Sequence, residues 1–408
     1  MRSYLRFLIE HPRFLTFGLL LTFCSSFGQT FFINFFRDHY QAVTGLSDTD
    51  YGKLYSGATI LSGSLLLWLG ARIDRMDLQR YSTAICAGLI GSCLFLSVAS
   101  APVYLFFAIF GLRLFGQGLL GHTAATSMTR YLAGARGKAM GIVGLGYPLG
   151  EATLPSIAAW MLTVATWREA WQLFAAALLL LLIPLVRVLL RGHRERHAAH
   201  VEEIQQPTTA TDTQQRQWSA RDVLRDMRFY LLLPIVLGPP FISTGIFFNG
   251  IPISKEMGWT PGEWAATIIA YAVATIVASL VGGSIADKIS PSKLVPLYLI
   301  PHALGLIALA SGDALIFGFL YMAGAGLSAG ANSSFLGALW PELYGVLHLG
   351  AIRSILSCAM VYSTGASPFL MGYLTDQNVG TATIAWWFFG YTVVASVLSF
   401  IALRLKRS

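Results

Sequence analysis

Charged residues are scarce in this chain of 408 residues, because Asp, Glu, Lys and Arg together make up 12% of it. Soluble domains carry roughly 25%. Hydrophobic residues make up 55%, so lipid must solvate most of the surface, which excludes a soluble enzyme and a disordered regulator. The four cysteines lie in apolar stretches without metal-ligand spacing, so we expect them to be small packing residues. Long apolar runs, rather than short alternating ones, exclude an outer-membrane barrel.

Apolar runs long enough to cross a membrane, roughly 20 residues each, recur twelve times along the chain. The predicted spans are 14–36, 51–72, 82–100, 103–129, 138–162, 170–190, 229–251, 264–285, 293–311, 313–338, 348–374 and 382–403. If the N-terminus is cytoplasmic, that side carries fifteen Lys and Arg residues outside the central segment and the other side carries four. Positive charge marks cytoplasmic loops. We therefore predict a multi-pass protein of the cell inner membrane with both termini in the cytoplasm.

The segment 191–226 is the one clear change in composition, since it is polar and has few large apolar residues. Such a segment buries too little surface to fold alone, so we predict a cytoplasmic linker there. It divides the chain into an N-terminal bundle of six helices, 1–190, and a C-terminal bundle of six helices, 227–408. The net charge of +8 fits cytoplasmic loops and anionic headgroups better than nucleic acid.

The two halves contain an internal repeat at a constant offset of 213 positions. The matched residues are Gly70 and Gly283, Asp74 and Asp287, Arg75 and Lys288, Tyr131 and Tyr344, Gly137 and Gly350, and Pro155 and Pro368. The block of glycine, acid and base falls in the same loop each time. Duplication of a six-helix unit explains this pattern most economically.

These loops carry a resemblance to a known family. The run Gly70-Ala-Arg-Ile-Asp74-Arg75, with Arg80, resembles the signature of the major facilitator superfamily between helices 2 and 3, and Gly283 to Lys288 is its second copy. Arg113, followed by Gln117 between two glycines, is similar to the pattern of the family in helix 4. The resemblance implies an all-α integral membrane protein with twelve transmembrane helices in two pseudo-symmetric six-helix bundles.

The resemblance also implies a role for the signature loops. In the family this cluster resembles a latch that holds the two halves together while the cavity faces outward. Exposed charge pairs worth about 0–1 kcal/mol each could break and re-form easily. The residues concerned are Gly70, Asp74, Arg75, Arg80, Gly283, Asp287 and Lys288. Ordinary positive-inside topology is the alternative explanation of the basic members.

Two charged residues lie near the middle of predicted spans, Arg113 in helix 4 and Glu151 in helix 5. A charge at that depth costs about 2.5–3.5 kcal/mol on insertion scales, so both must face protein or water. Counting from the span ends puts them at nearly the same depth. Two interpretations stay open. They form a structural ion pair, or Arg113 binds an anionic group of a substrate while Glu151 accepts a coupling proton.

Polar residues line one face of several spans, which predicts a central cavity. Helix 1 has Thr22, Ser25, Ser26 and Gln29 at helical spacing, and helix 4 has Gln117. Further candidates for the substrate path are Asn249 in helix 7, Asn332 in helix 10 and Tyr362 in helix 11. Polar residues in spans also join helices to one another, and that is the alternative for each.

The resemblance implies a secondary active transporter that moves a small solute by alternating access. A proton-coupled carrier of a small organic anion, such as a monocarboxylate, fits Arg113, and a proton-coupled exporter of an amphipathic cation or drug is the alternative. A membrane enzyme or a sensor fits poorly, since the eight histidines are scattered and the linker is short. No nucleotide-binding loop is present. We therefore expect a monomer in the lipid bilayer with a small-molecule substrate and protons as partners, and no cofactor, metal or nucleic acid; symport, antiport and direction stay open.

Overall fold

The described residues form twelve long helices, some of them interrupted, and one short helix, Ala220–Val223. The computed structural model describes residues 7, 9–74, 76–132, 136–193, 218–286, 288–345 and 349–405. The first six helices are α1 (Pro12–Gly28 and Thr30–Thr44), α2 (Asp48–Gly70), α3 (Leu78–Ser97), α4 (Pro102–Tyr131), α5 (Arg136–Gly144 and Gly146–Val164) and α6 (Trp167–Leu189). The other six are α7 (Met227–Phe248, then Gly250–Glu256), α8 (Pro261–Ala286), α9 (Pro291–Ala310), α10 (Leu315–Tyr344), α11 (Leu349–Asp376) and α12 (Thr381–Arg404).

Each predicted span coincides with one of these helices. Within the described residues, eight helices are long and apolar enough to cross a membrane, and the bent pair that forms α1 makes nine. The remaining three are α2, α5 and α11. The prediction of an all-α membrane protein is confirmed.

The described residues form two compact units. Unit 1 comprises 7–45 and 57–193. Its core includes aromatic rings of α1 and α6, where Phe32 lies 5.4 Å from both Trp171 and Phe174. The indole nitrogen of Trp171 donates to the Tyr40 hydroxyl at 3.0 Å. Such ring pairs contribute about 0.5–1.5 kcal/mol each beyond their burial, so they hold the second part of α1 firmly against α6.

Unit 2 comprises the described residues from Trp218 onward together with 46–56, the start of α2. Part of the predicted linker packs here. Trp218 is 7% exposed and its ring lies 5.5 Å from that of Tyr344. Asp226 pairs with Arg228 at 2.7 Å and accepts a hydrogen bond from the Tyr344 hydroxyl. The polar composition of 191–226 predicts that 218–226 belong to the linker, but Trp218 and this buried ion pair anchor these residues to α10.

The helices of both units pack in the same order. In unit 1, α3 packs on α4 and α6, and α1 packs on α5 and α6. In unit 2, α9 packs on α10 and α12, and α7 packs on α11 and α12. The offset of 213 has matching structural positions, since Tyr131 and Tyr344 each end the fourth helix of their unit. Pro155 and Pro368 each lie inside the fifth helix. The repeat in the sequence is therefore a repeat in the fold.

Candidate functional site

The most irregular part of unit 1 is the middle of α1. The helix ends in a short 3-10 turn, Ser26–Gly28, and Gln29 is extended with ψ of 152° before helix resumes at Thr30. The two parts are bent by 47°. A break of this kind frees backbone carbonyl groups, which within a membrane must find partners in the protein.

The backbone of α4 approaches this break closely. Residues Leu112–Leu120 form a π-helix, and such segments are frequent at functional sites. Gly28 and Gly116 are in direct contact, because a Cβ at Gly28 would collide with the carbonyl oxygen of Leu112 and the amide nitrogen of Gln117. The crossing of α1 and α4 thus depends on glycine on both helices.

Arg113 forms hydrogen bonds to residues on both sides of the break in α1. Its side chain is 3% exposed, and Nη1 donates to the carbonyl oxygen of Gly28 at 3.2 Å and to Oγ1 of Thr30 at 3.3 Å. The guanidinium therefore satisfies a carbonyl that the break leaves without a helical partner. These contacts join α4 to both parts of α1.

Glu151 lies on α5, next to the contact of α5 with α1. It is half-buried, and its carboxyl group makes no hydrogen bond or ion pair with any residue of the described part. Gly150 beside it packs against the side chain of Ser26. The first interpretation, an ion pair between Glu151 and Arg113, is therefore wrong. Equal depth along two helices does not fix the rotation of their side chains about the helix axes.

The polar stripe of α1 faces α5 rather than an open cavity. Thr22 Oγ1 donates to the carbonyl oxygen of Val143 at 2.6 Å, and Ser25 Oγ donates to that of Thr22 at 2.8 Å. Ser25 and Ser26 are both fully buried. For Thr22 and Ser25 the structure therefore agrees with the alternative interpretation, in which polar residues of a span form hydrogen bonds within their own helix or to a neighbouring helix. Gln29 and Gln117 are half-buried on either side of the break.

The glycines of α5 divide into two groups. Gly146 and Gly150 lie directly against α1, at Thr22 and Ser26. Gly141 and Gly144 have no heavy atom within 4 Å of an added Cβ. Both parts of α5 contact α1, since Val143 of the first part accepts a hydrogen bond from Thr22, but among these four glycines only those of the second part lie against α1.

The candidates in unit 2 lie on different helices and are not brought together. Asn249 is 3% exposed and its Nδ2 donates to Oγ1 of Thr375 at 2.7 Å. Asn332 is half-buried, and its buried Oδ1 has no hydrogen-bond partner within the part of the chain that the structure describes. Tyr362 is 52% exposed. Their part in a substrate path stays a prediction.

The signature loops are only partly described. Gly70 ends α2, and a 3-10 turn, Ala71–Asp74, follows it. The side chain of Asp74 and the whole of Arg75 and Asp287 lie outside the described residues. Arg80 is exposed, and Gly283 lies in α8 with exposed Lys288 just beyond it.

Two contacts at these loops were not foreseen from the sequence. Arg130 Nη1 donates to the carbonyl oxygen of Ile73 at 3.5 Å in unit 1. In unit 2 the hydroxyls of Ser290 and Ser292 donate to Glu342 at 2.9 and 2.6 Å. In both units, the end of the fourth helix therefore contacts the connection between the second and third. The sequence did contain one sign of this contact, because Arg130 comes directly before Tyr131, which belongs to the internal repeat.

The packing defines the class of protein: an integral membrane protein of two helical units with the same internal order. The family model described as Major Facilitator Superfamily matches residues 18–269, more than half of the chain. The chain therefore belongs to the Major Facilitator Superfamily. It is a membrane transporter and not an enzyme.

Solved structures of transporters resemble the chain over nearly its whole length. A bacterial homolog of the human lysosomal transporter Spinster, inward-facing and unoccupied, has a TM-score of 0.71 at 14% identity, covering 97% of each chain. Its occupied form has a TM-score of 0.65 at 15% identity, covering 96% of this chain and 95% of that one. The nucleoside transporter NupG has a TM-score of 0.69 at 12% identity, covering 97% of this chain and 99% of that one. These identities show a shared fold only. No curated protein matches the chain.

Proposed function

We propose that this transporter moves its solute together with, or in exchange for, protons, and that Glu151 is the coupling group. The observation that carries the proposal is a half-buried carboxyl on a membrane helix with no hydrogen bond or ion pair among the described residues. A carboxyl at this depth is costly when charged and cheap when protonated. Binding of a proton can therefore bias the conformational equilibrium of the transporter.

The substrate that we propose is a small organic anion, such as a monocarboxylate. Arg113, in the middle of α4, is 3% exposed. A buried guanidinium favours an anionic partner, because its planar group matches the geometry of a carboxylate.

A second substrate class is favoured by a different observation. Arg113 already donates to the break in α1, whereas Glu151 makes no ion pair with another described residue. Phenylalanines of α1, including Phe27 and Phe31, are buried close to that break. A carboxylate together with aromatic rings can bind an amphipathic cation, which the transporter would export in exchange for protons. The two classes differ in the sign of the substrate charge, and binding measurements distinguish them.

The signature loops support a further proposal about gating. We assign Gly70, Asp74, Arg75 and Arg80, with Gly283, Asp287 and Lys288, to a latch on the cytoplasmic side. The contact of Arg130 with Ile73 supports a role for this loop, because it joins the loop to the end of α4. We also propose that the protein lies in the inner membrane with both termini in the cytoplasm, which follows the charge distribution, and that it is a monomer.

The test of coupling uses the purified protein in proteoliposomes. A thermal-shift screen of carboxylates, nucleosides and amines at two pH values first identifies a bound solute. Glu151→Gln should still exchange that solute across the membrane, since exchange needs no net proton movement, but should fail to accumulate it when a pH gradient is imposed.

The matched control is Glu169→Gln. Glu169 is an exposed carboxylate of the same unit that caps α6 by accepting from the backbone amide of Thr166 at 2.8 Å. This variant should accumulate solute normally. Undiminished accumulation by Glu151→Gln would remove Glu151 from the coupling mechanism.

A further inference from the structure

Unit 2 contains a cavity that the transport mechanism proposed above does not use. It has a volume of about 340 Å³ and lies between the second part of α7 and the turn that joins α11 to α12. That size is within the range of small-molecule pockets, roughly 300–1,000 Å³. By the predicted topology, this end of the helices faces the outside of the cell.

One wall of the cavity is polar and held in place by hydrogen bonds. The carboxylate of Glu256 accepts from the backbone amide of Thr381 at 2.9 Å and from its hydroxyl. Asn249 Nδ2 also donates a hydrogen bond to Oγ1 of Thr375 at 2.7 Å. Both groups line the cavity, and these bonds fix them before a ligand arrives, which lowers the entropy cost of binding.

Another part of the lining is aliphatic. It includes Pro252, Ile253 and Ile384, and Ile253 and Ile384 are 2% and 3% exposed. Burial of methylene groups against such residues favours binding. The cavity thus combines a carboxylate with an aliphatic part of its lining.

The charge at this end of unit 2 is negative. The described residues at these helix ends include six acids and two lysines: Asp48, Asp50, Glu256, Glu263, Asp313 and Asp376 against Lys53 and Lys255. Glu256 itself is exposed and forms no ion pair within the described residues. A negative field of this kind attracts cations and repels anions.

We propose that this cavity binds a small primary ammonium ion with an aliphatic body, at a site separate from Glu151. The ammonium group donates to the carboxylate of Glu256, and the Asn378 side chain at the rim can take a second donor. The aliphatic part lies against Pro252 and Ile253. The described residues contain no group of three or more His, Cys, Asp or Glu that could hold a metal ion, which favours an organic cation.

The test measures binding, not transport, so its result is independent of coupling through Glu151. The probe is n-butylammonium, with butan-1-ol and butyrate as neutral and anionic probes of similar size. Binding to the purified full-length protein is followed by saturation-transfer NMR and calorimetry. We expect n-butylammonium to bind and the other two probes to bind at least about tenfold more weakly, since a hydrogen bond to a charged group is worth about 1.5–3 kcal/mol.

Glu256→Gln should weaken n-butylammonium binding by about tenfold or more, and Glu256→Asp should keep more of the affinity. Glu263→Gln is the control, because Glu263 caps α8 in the same way, accepting from the amide and hydroxyl of Thr260 at 2.7 and 2.9 Å, yet does not line the cavity. Equal affinity in Glu256→Gln and the unchanged protein would overturn the proposal. Equal losses in Glu256→Gln and Glu263→Gln, or equal binding of butan-1-ol, would overturn it as well.

Discussion

Replacement of Gly28 by alanine tests the crossing of α1 and α4 that positions Arg113. The new Cβ would collide with the carbonyl oxygen of Leu112 and the amide nitrogen of Gln117, and would lie 3.0 Å from the carbonyl carbon of Gly116. All three are backbone atoms, so no side chain can turn away to make room. Overpacking of this kind costs about 1–3 kcal/mol, and we expect the upper end of that range because the π-helix itself must shift.

The assay is reversible unfolding of the purified protein in mixed micelles, with Gly141→Ala as the matched control. An added Cβ at Gly141 meets no atom within 4 Å, so that variant should be neutral or gain up to about 1 kcal/mol from the higher helix propensity of alanine. If Gly28→Ala is as stable as Gly141→Ala, the two backbones are not in contact and the account of the break is wrong.

Three further predictions concern charged residues. Asp376 accepts from the amides of Asp48 and Thr49 at 3.1 and 2.7 Å; partial burial alone raises its pKa, but hydrogen bonds from Thr49 and Asp48 together hold the pKa below its ordinary value. Asp376→Asn should therefore lower the free energy of unfolding by about 1 kcal/mol at neutral pH. This difference from the unchanged protein should vanish as the pH falls below about 3.9 and through the lowered pKa. A difference that persists in acid would refute the role of these hydrogen bonds. Arg113→Lys removes the planar guanidinium group that can donate two hydrogen bonds to a carboxylate. Thermal-shift responses to carboxylates should therefore weaken, while responses to amines should not change. Unchanged binding of carboxylates would favour the cationic substrate. Asp74→Asn should slow uptake at normal expression, and normal uptake would contradict the latch.

The arrangement of helices could be predicted because each span is a long apolar run with polar ends. The sequence blocks in the loops around Asp74 and Asp287 repeat at one offset, and the resemblance to the family rests on these blocks. The break at Gln29 could not be predicted in the same way, since Gly28 before it is one of 40 glycines and no proline follows. Its cause is tertiary, because the hydrogen bond from Arg113 to Gly28 compensates for the lost helical bond.

Side-chain directions were the least predictable feature. A regular α-helix would put Arg113 and Gln117, which are four residues apart, on one face. Leu112–Leu120 is instead a π-helix, which has a different angle per residue. The stripe of Thr22 and Ser25 has the period expected of a cavity face, yet it bonds to α5 and to its own helix. Periodicity shows that a face avoids lipid and does not show what covers it.

The most direct test of the central claim follows proton movement itself. A pH-sensitive dye is trapped inside proteoliposomes that hold the purified protein, and a concentration gradient of the solute found in the screen is imposed with no initial pH difference. The unchanged protein should shift the internal pH as solute moves, and Glu169→Gln should do the same. Glu151→Gln should move solute by exchange without any shift. A shift of normal size in Glu151→Gln would contradict coupling through this carboxyl.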